Sequence, residues 1–149
     1  MREETAGRRT IDELLEDARR AIVRLEPAEA MAAADEGALI VDIRSETARR
    51  RDGIVPGSVH VPRTVLEWRV DPDSPWRNPC VGGLDRQIIL LCDQGFSSSL
   101  AAATLVELGF SRAADVIGGF QAWRRAGLPV KEAPPPPPPG ELPGLGPPD

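Results

Sequence analysis

The chain has 149 residues, of which 28% are charged and 41% hydrophobic, the composition of a soluble globular protein with one domain. A net charge of −5 and only three Trp and three Phe argue against a nucleic-acid-binding surface. Its apolar runs are far shorter than the roughly 18 residues that a membrane span needs. No apolar segment follows the charged N-terminus, so we expect no secretory signal, no membrane contact and a cytoplasmic protein.

An N-terminal helical extension is predicted over residues 1–26. From Thr10 to Arg24, apolar residues recur at helical spacing, and Thr10 and Glu13 have the spacing of a capping box. Acidic residues come first and basic residues last, which suits the helix dipole. We expect the apolar face of this helix to pack on the domain, with a binding partner as the alternative.

Strands and helices alternate along residues 27–132. Pro27 opens a helix over 28–34, 46–51 forms a helical turn, and further helices follow Ser97 and cover 120–126. Predicted strands cover 38–43, 58–61, 87–92 and 113–117. This order predicts one α/β domain with a mainly parallel central sheet flanked by helices.

A proline-rich tail covers residues 133–149. It begins with six consecutive prolines after Ala133, which favour a polyproline II helix. We expect a disordered, solvated spacer, with a ligand for an aromatic-lined groove as the alternative.

The candidate nucleophile is Cys92, at the predicted end of a buried strand. In open parallel sheets, ligands bind beyond the carboxyl ends of the strands. The loop that follows, Asp93 to Ser98, contains Gly95 for a tight turn and serines that can begin a helix. Inward-facing amides and the helix dipole would stabilise a Cys92 thiolate or persulfide. The alternative is an unreactive core cysteine.

The remaining thiol and imidazole are not expected to act in catalysis. Cys80 lies in a Pro/Gly-rich loop and is predicted to be incidental, although a transient disulfide with Cys92 stays open. A structural zinc site needs four ligands, and Cys80, Cys92 and His60 lack the spacing, so we expect no metal. His60 lies between two strand valines and is expected at the surface or hydrogen-bonded.

Four segments together resemble the rhodanese family. They are 41–44 (Val-Asp-Ile-Arg), 53–62 (Gly-Ile-Val-Pro-Gly-Ser-Val-His-Val-Pro), 92–98 (Cys-Asp-Gln-Gly-Phe-Ser-Ser) and 118–123 (Gly-Gly-Phe-Gln-Ala-Trp). They occur in the family's order and spacing and span roughly residues 27–130. The loop is similar to the Cys-x-x-Gly-x-Ser-Ser loops of single-domain thiosulfate sulfurtransferases.

This resemblance implies a sulfurtransferase that needs no cofactor. Cys92 would be the nucleophile, and Asp93, Gln94, Gly95, Phe96, Ser97 and Ser98 would form the substrate-anion loop. A thiosulfate or persulfide donor would leave a Cys92 persulfide, and a thiol, cyanide or protein cysteine would accept the sulfur.

Asp93 departs from the family pattern, which often has Arg or Lys beside the cysteine. If its carboxylate points inward, it would repel a dianionic donor. Arg44 and Arg63 are the candidates to offset this charge, with structural salt bridges as their alternative.

Two other functions compete with sulfur transfer. A cysteine phosphatase needs Cys-x5-Arg, whose arginine grips the phosphate, and position 98 is Ser here. A non-catalytic rhodanese-like binding or scaffold module is the second alternative, and retention of Cys92 argues against it.

Overall fold

A computed structural model describes residues 7–149, which form a three-layer α/β domain. Five parallel strands lie in the order β1-β5-β4-β2-β3. The strands are β1 (Val23–Leu25), β2 (Leu39–Asp42), β3 (Val59–His60), β4 (Ile88–Leu91) and β5 (Ala114–Val116). The helices are α1 (Ile11–Ala21), α2 (Pro27–Asp35), α3 (Glu46–Asp52), α4 (Leu66–Val70), α5 (Ser97–Glu107) and α6 (Gly119–Arg125). The predicted α/β architecture is therefore confirmed.

The central strand β4 separates two hydrophobic cores. All four of its residues are buried, as expected for a parallel strand covered on both faces. Ile88 and Leu90 belong to one core, together with buried residues of α4 and α5. Ile89 and Leu91 belong to the other, together with residues of α2 and α6. This packing fixes the carboxyl end of β4, where Cys92 follows.

The N-terminal segment contributes a strand as well as a helix. The predicted capping box of Thr10 and Glu13 is present, and α1 packs against α5. The helix ends at Ala21, however, and Val23–Leu25 form β1, which pairs with β5. The prediction of a helix as far as Arg24 is therefore wrong at its end. Hydrogen bonding to β5 overrides the helical spacing of these last residues.

The proline-rich tail is mostly exposed to solvent, and several of its last residues contact the body of the domain. The Asn78 side-chain amide donates to the Gly144 carbonyl over 3.1 Å, and the Asp149 backbone amide donates to the Ser58 carbonyl over 2.8 Å. The Arg49 guanidinium also binds the Asp149 carboxylate over 2.6 Å. A cavity of about 450 Å³ lies between the tail, α3 and His60, and the Cys92 loop does not line it.

Length and polarity together separate these helices from membrane-spanning ones. Across residues 7–149, no helix has both the length and the apolar character that crossing a bilayer requires.

Candidate active site

Cys92 lies at the carboxyl end of β4 with its sulfur turned toward the following loop. The Gly95 amide donates a hydrogen bond to Cys92 Sγ over 3.1 Å, and Ser98 Oγ also lies 3.1 Å from Sγ. These are the two hydrogen-bond partners of the sulfur within residues 7–149. The Cys92 residue is 5% exposed. Its sulfur therefore lies in a polar cradle, defined by the Gly95 amide and the Ser98 hydroxyl, at the N-terminal end of α5.

Two glycines allow this loop to pack against the start of α6. Gly95 has φ +85°, and a Cβ there would lie 2.7 Å from the Gly118 nitrogen. Gly119 has φ +61°, and its Cβ would lie 2.6 Å from the Cys92 carbonyl oxygen. With no side chain in the way, the Phe120 amide donates to that carbonyl over 2.8 Å. Unpaired amides of the first helical turn thereby find their acceptors in the loop.

Asp93 is held on the α6 side of the loop. Its carboxylate accepts a hydrogen bond from the Gln121 side chain over 2.9 Å, and its carbonyl accepts from the Gln121 amide over 3.1 Å. The Gln121 side-chain amide also donates to the Asp52 carboxylate over 3.1 Å. The Asp93 carboxylate therefore binds Gln121 and does not contact Cys92 Sγ.

The other loop residues divide into a buried and an exposed group. Gly95 and Ser98 are buried, whereas Gln94, Phe96 and Ser97 are exposed. The Arg19 guanidinium lies 5.6 Å from the centre of the Phe96 ring, within the range of a cation–π contact. The exposed residues thus form the outer rim of the loop, and the buried ones contact the sulfur.

Arg44 and Arg63 do not approach Asp93 but form ion pairs elsewhere. Arg44 donates two hydrogen bonds to the Asp42 carboxylate, of 3.0 and 2.8 Å, and its guanidinium stacks 3.8 Å from the centre of the Phe120 ring. Arg63 binds the Glu67 carboxylate one helical turn later. Both arginines therefore form structural salt bridges, which was the alternative to a role beside Asp93.

Two arginines that the sequence analysis did not select support the loop instead. Arg19 and Arg24 both donate to the Gly95 carbonyl, over 2.8 and 3.2 Å. They come from α1 and β1, more than 70 residues earlier in the chain. No spacing rule links such distant positions, so no sequence pattern indicates their role.

A buried carboxylate, Asp115 on β5, is linked to Cys92 through the Ser98 hydroxyl. It is fully buried and accepts hydrogen bonds from Ser98 Oγ over 2.8 Å and from Ser99 Oγ over 2.7 Å. Arg24 pairs with it over 2.9 Å. An acidic residue inside an otherwise apolar predicted strand was the available signal, because buried charges need partners.

His60 is hydrogen-bonded, as predicted, and lies two strands away from Cys92. Its Nε2 lies 2.7 Å from the Arg44 carbonyl oxygen, which can only accept, so Nε2 carries the proton. Burial lowers the pKa of His60 below 6.5, and the nearby Arg49 charge adds to this effect. The imidazole is therefore neutral at neutral pH and has a structural partner.

Cys80 is half-buried, and both cysteines are free thiols. The Cys80 amide donates to the Asn78 side chain over 2.9 Å, which fixes its backbone in a short turn. Nothing in this turn resembles the polar cradle around Cys92.

Comparison with known proteins agrees with this geometry. The family model described as "Rhodanese-like domain" matches residues 26–126. The chain belongs to the rhodanese-like domain family. It is 35% identical over 102 residues to the thiosulfate sulfurtransferase GlpE of Pseudomonas syringae, covering 68% of this chain and 86% of that protein.

Two further relatives cover a similar or larger part of the chain. The thiosulfate sulfurtransferase GlpE of Stutzerimonas stutzeri is 38% identical over 101 residues, which is 68% of this chain and 84% of that protein. A solved structure from Rhodopseudomonas palustris, a protein of unknown function described as a possible tyrosine phosphatase, has 38% identity and a TM-score of 0.75. The match covers 83% of this rhodanese-like chain and 95% of that one.

Proposed function

We propose that this rhodanese-like protein is a sulfurtransferase that carries sulfur as a persulfide on Cys92. The observation that supports this most is the Gly95 amide pointing at Cys92 Sγ from 3.1 Å. A donor in that position stabilises negative charge on sulfur and thus the thiolate that attacks. The relatives named thiosulfate sulfurtransferase support the same reaction class.

In the first half-reaction, the Cys92 thiolate attacks the outer sulfur of thiosulfate. A new S–S bond forms on Cys92, the S–S bond of thiosulfate breaks, and its electron pair leaves with sulfite. The total charge is unchanged, since a thiolate and a dianion become a persulfide anion and a dianion. No proton transfer is needed, so the reaction does not require a histidine base.

In the second half-reaction, an acceptor attacks the outer sulfur of the Cys92 persulfide. Cyanide would leave as thiocyanate, and a thiolate of a small molecule or protein would leave as a new persulfide. The Cys92–sulfur bond breaks, and its electron pair restores the Cys92 thiolate. The Gly95 amide can stabilise the sulfur anion before and after each transfer.

The charges around the loop are compatible with an anionic donor. Asp93 is engaged by Gln121, and Asp115 is paired with Arg24. Arg19 adds one further positive charge at the Gly95 carbonyl. This arrangement offsets the carboxylate repulsion that the sequence predicted, and thiosulfate remains a suitable donor to test.

Sulfur loading can be measured by intact-protein mass spectrometry. The protein is incubated with thiosulfate or with a low-molecular-weight persulfide, and a gain of one sulfur atom that cyanide removes is expected. Cys80→Ser should keep the gain and Cys92→Ser should lose it, and these matched variants each retain one thiol. Equal loading of both variants would refute the assignment to Cys92.

The same experiment separates the competing functions. No sulfur gain from either donor would favour the non-catalytic scaffold. For a phosphatase, position 98 would have to provide a cation, whereas Ser98 binds the Asp115 carboxylate, which repels phosphate. We therefore expect no release of phosphate from an aryl phosphate under conditions that load Cys92 with sulfur.

A further inference from the structure

We propose that Asp115 is a positioning residue that sets the reactivity of Cys92 through the Ser98 hydroxyl. This inference rests on the proposed function, since it concerns the same sulfur. Ser98 Oγ lies 3.1 Å from Cys92 Sγ and 2.8 Å from Asp115 Oδ2. Ser98 is fully buried, so water does not replace either contact.

The direction of the two hydrogen bonds follows from the chemistry of the groups. A carboxylate only accepts, so the single hydroxyl hydrogen of Ser98 is donated to Asp115. A Ser98 lone pair then faces Cys92, and the thiol hydrogen can be donated to it. The structure thus records the arrangement that suits a protonated Cys92.

A Cys92 thiolate requires the opposite arrangement. Without the thiol hydrogen, the Ser98 lone pair would face a negative sulfur. Rotation of the hydroxyl from Asp115 to Sγ removes this repulsion and adds a second donor to the Gly95 amide. The Ser98 hydroxyl can therefore donate its hydrogen either to Asp115 or to Cys92 Sγ. The charge of Asp115 determines how strongly the carboxylate competes for that hydrogen.

Asp115 can release Ser98 because other donors hold it. Ser99 Oγ donates to the same carboxylate oxygen over 2.7 Å, and Arg24 binds both oxygens over 2.9 and 3.3 Å. A buried carboxylate left without partners would be costly, and these contacts prevent that. Arg24 also offsets the repulsion between Asp115 and the thiolate.

Other charged groups near this network are already engaged. Arg19 of α1 binds the Gly95 carbonyl, and Asp93 of the loop binds Gln121. On β2, beside β4, Asp42 is paired with Arg44. A change at position 115 or 98 can therefore be assigned to the network itself.

The test is the pH dependence of Cys92 alkylation by iodoacetamide, measured in Cys80→Ser protein. This rate reports the thiolate without any sulfur donor, so its outcome is separate from that of the sulfur-loading experiment. Ser98→Ala should raise the pH midpoint of alkylation by about one unit, the size of one hydrogen bond to a charged group. Asp115→Asn should lower it by a similar amount, because a neutral amide competes less strongly than a carboxylate for the Ser98 hydroxyl hydrogen.

Ser58→Ala is the matched control. Ser58 is also a buried serine, but its hydroxyl donates to the Val55 carbonyl over 2.7 Å, so the midpoint should stay within about 0.3 units of the parent value. In the Ser98→Ala background, Asp115→Asn should have a smaller effect than in the parent, because the two residues act in series.

Equal midpoints for Ser98→Ala and Ser58→Ala would overturn the proposal, and so would an equal effect of Asp115→Asn in the parent and in the Ser98→Ala background. An Asp115→Asn midpoint at or above that of the parent would also overturn it. If Asp115→Asn does not fold, the comparison of the two serine variants alone decides, because each removes only one hydroxyl.

Discussion

Arg24 and Asp115 lie opposite each other on the neighbouring parallel strands β1 and β5, and their side chains form an ion pair of 2.9 Å. Arg24 also donates to the Gly95 carbonyl, so one guanidinium links the sheet edge, the buried acid and the Cys92 loop. An interaction that holds an edge strand in register therefore also supports the site.

Replacing Arg24 by Gln should destabilise the protein. Asp115 is fully buried, and removing one partner of a buried pair leaves a charge without compensation. Because two serines still donate to Asp115, we expect the free energy of unfolding to fall by about 2 kcal/mol, less than for a fully unpaired charge. Urea unfolding measures this change.

Arg20→Gln is the control for that variant. Its ion pairs with Glu16 and Asp17 lie on the exposed face of α1, where each such pair contributes at most about 0.5 kcal/mol. If the two substitutions lowered the free energy of unfolding equally, the buried pair of Arg24 and Asp115 would contribute no more than an exposed ion pair.

Gly119→Ala should disturb both the fold and the site. The added Cβ would lie 2.6 Å from the Cys92 carbonyl oxygen, which must move away. We expect a loss of more than about 2 kcal/mol, because a collision adds to the strain of a left-handed backbone. The rate at which iodoacetamide alkylates Cys92 should also change, because the backbone of Cys92 moves.

Gly127→Ala separates the collision from the backbone strain. Gly127 has φ +74°, but no atom lies within 4 Å of its Cβ position. Its substitution should cost about 1 kcal/mol, the strain alone, and leave Cys92 alkylation unchanged. Similar losses for both alanines would show that α6 does not constrain the loop.

The stability of the protein should depend on His60 between neutral and mildly acidic pH. Burial lowers the pKa of His60 below 6.5 in the folded state, so the unfolded chain binds more protons in this window. The free energy of unfolding therefore falls as the pH drops below 6.5. Above that pH, His60 is neutral in both states and does not lower the stability. His60→Gln should remove this part of the pH dependence.

Two measurements check the His60 prediction. The chain has one histidine, so its ring signal in NMR reports the folded-state pKa without ambiguity. Urea unfolding from about pH 7 to about pH 5.5 compares the parent with His60→Gln. A ring pKa at or above 6.5, or parallel stability curves for the two proteins, would contradict the prediction.

Removing residues 133–149 should expose the Gly57 amide. That amide donates to the Asp149 carbonyl over 2.6 Å, and the tail supplies this acceptor. Hydrogen exchange at Gly57 should become faster in the shortened chain, while exchange at Leu90, in the central strand, should not change. An unchanged Gly57 rate would support the solvated spacer that the sequence predicted.

Much of the fold could be predicted because burial leaves a pattern in the sequence. The apolar runs that became β2 and β4 are bounded by polar or turn residues, and such runs are typical of parallel strands. β1 has three residues, and Val23 is exposed, so it carries no comparable pattern. The tail gave no signal either, because several of its contacts are made by backbone carbonyls that any sequence provides.

The site was predictable only where one segment contains it. The Cys92 loop is continuous, and its residue types suggest its chemistry. Arg24 and Asp115 are 91 positions apart, and only the pairing of β1 with β5 brings them together. Arg44 and Arg63 were reasonable candidates by proximity in sequence, but carboxylates within four residues bind them first.

The edge strand β1 ends at Leu25, immediately before the segment that matches the family. A protein trimmed to residues 26–126 would keep Cys92 and its loop but lose both arginines that bind the Gly95 carbonyl. Asp115 would also lose its ion pair with Arg24. A substitution at Arg19 or Arg24 therefore changes the charge beside the Cys92 loop while the sequence of the loop stays the same.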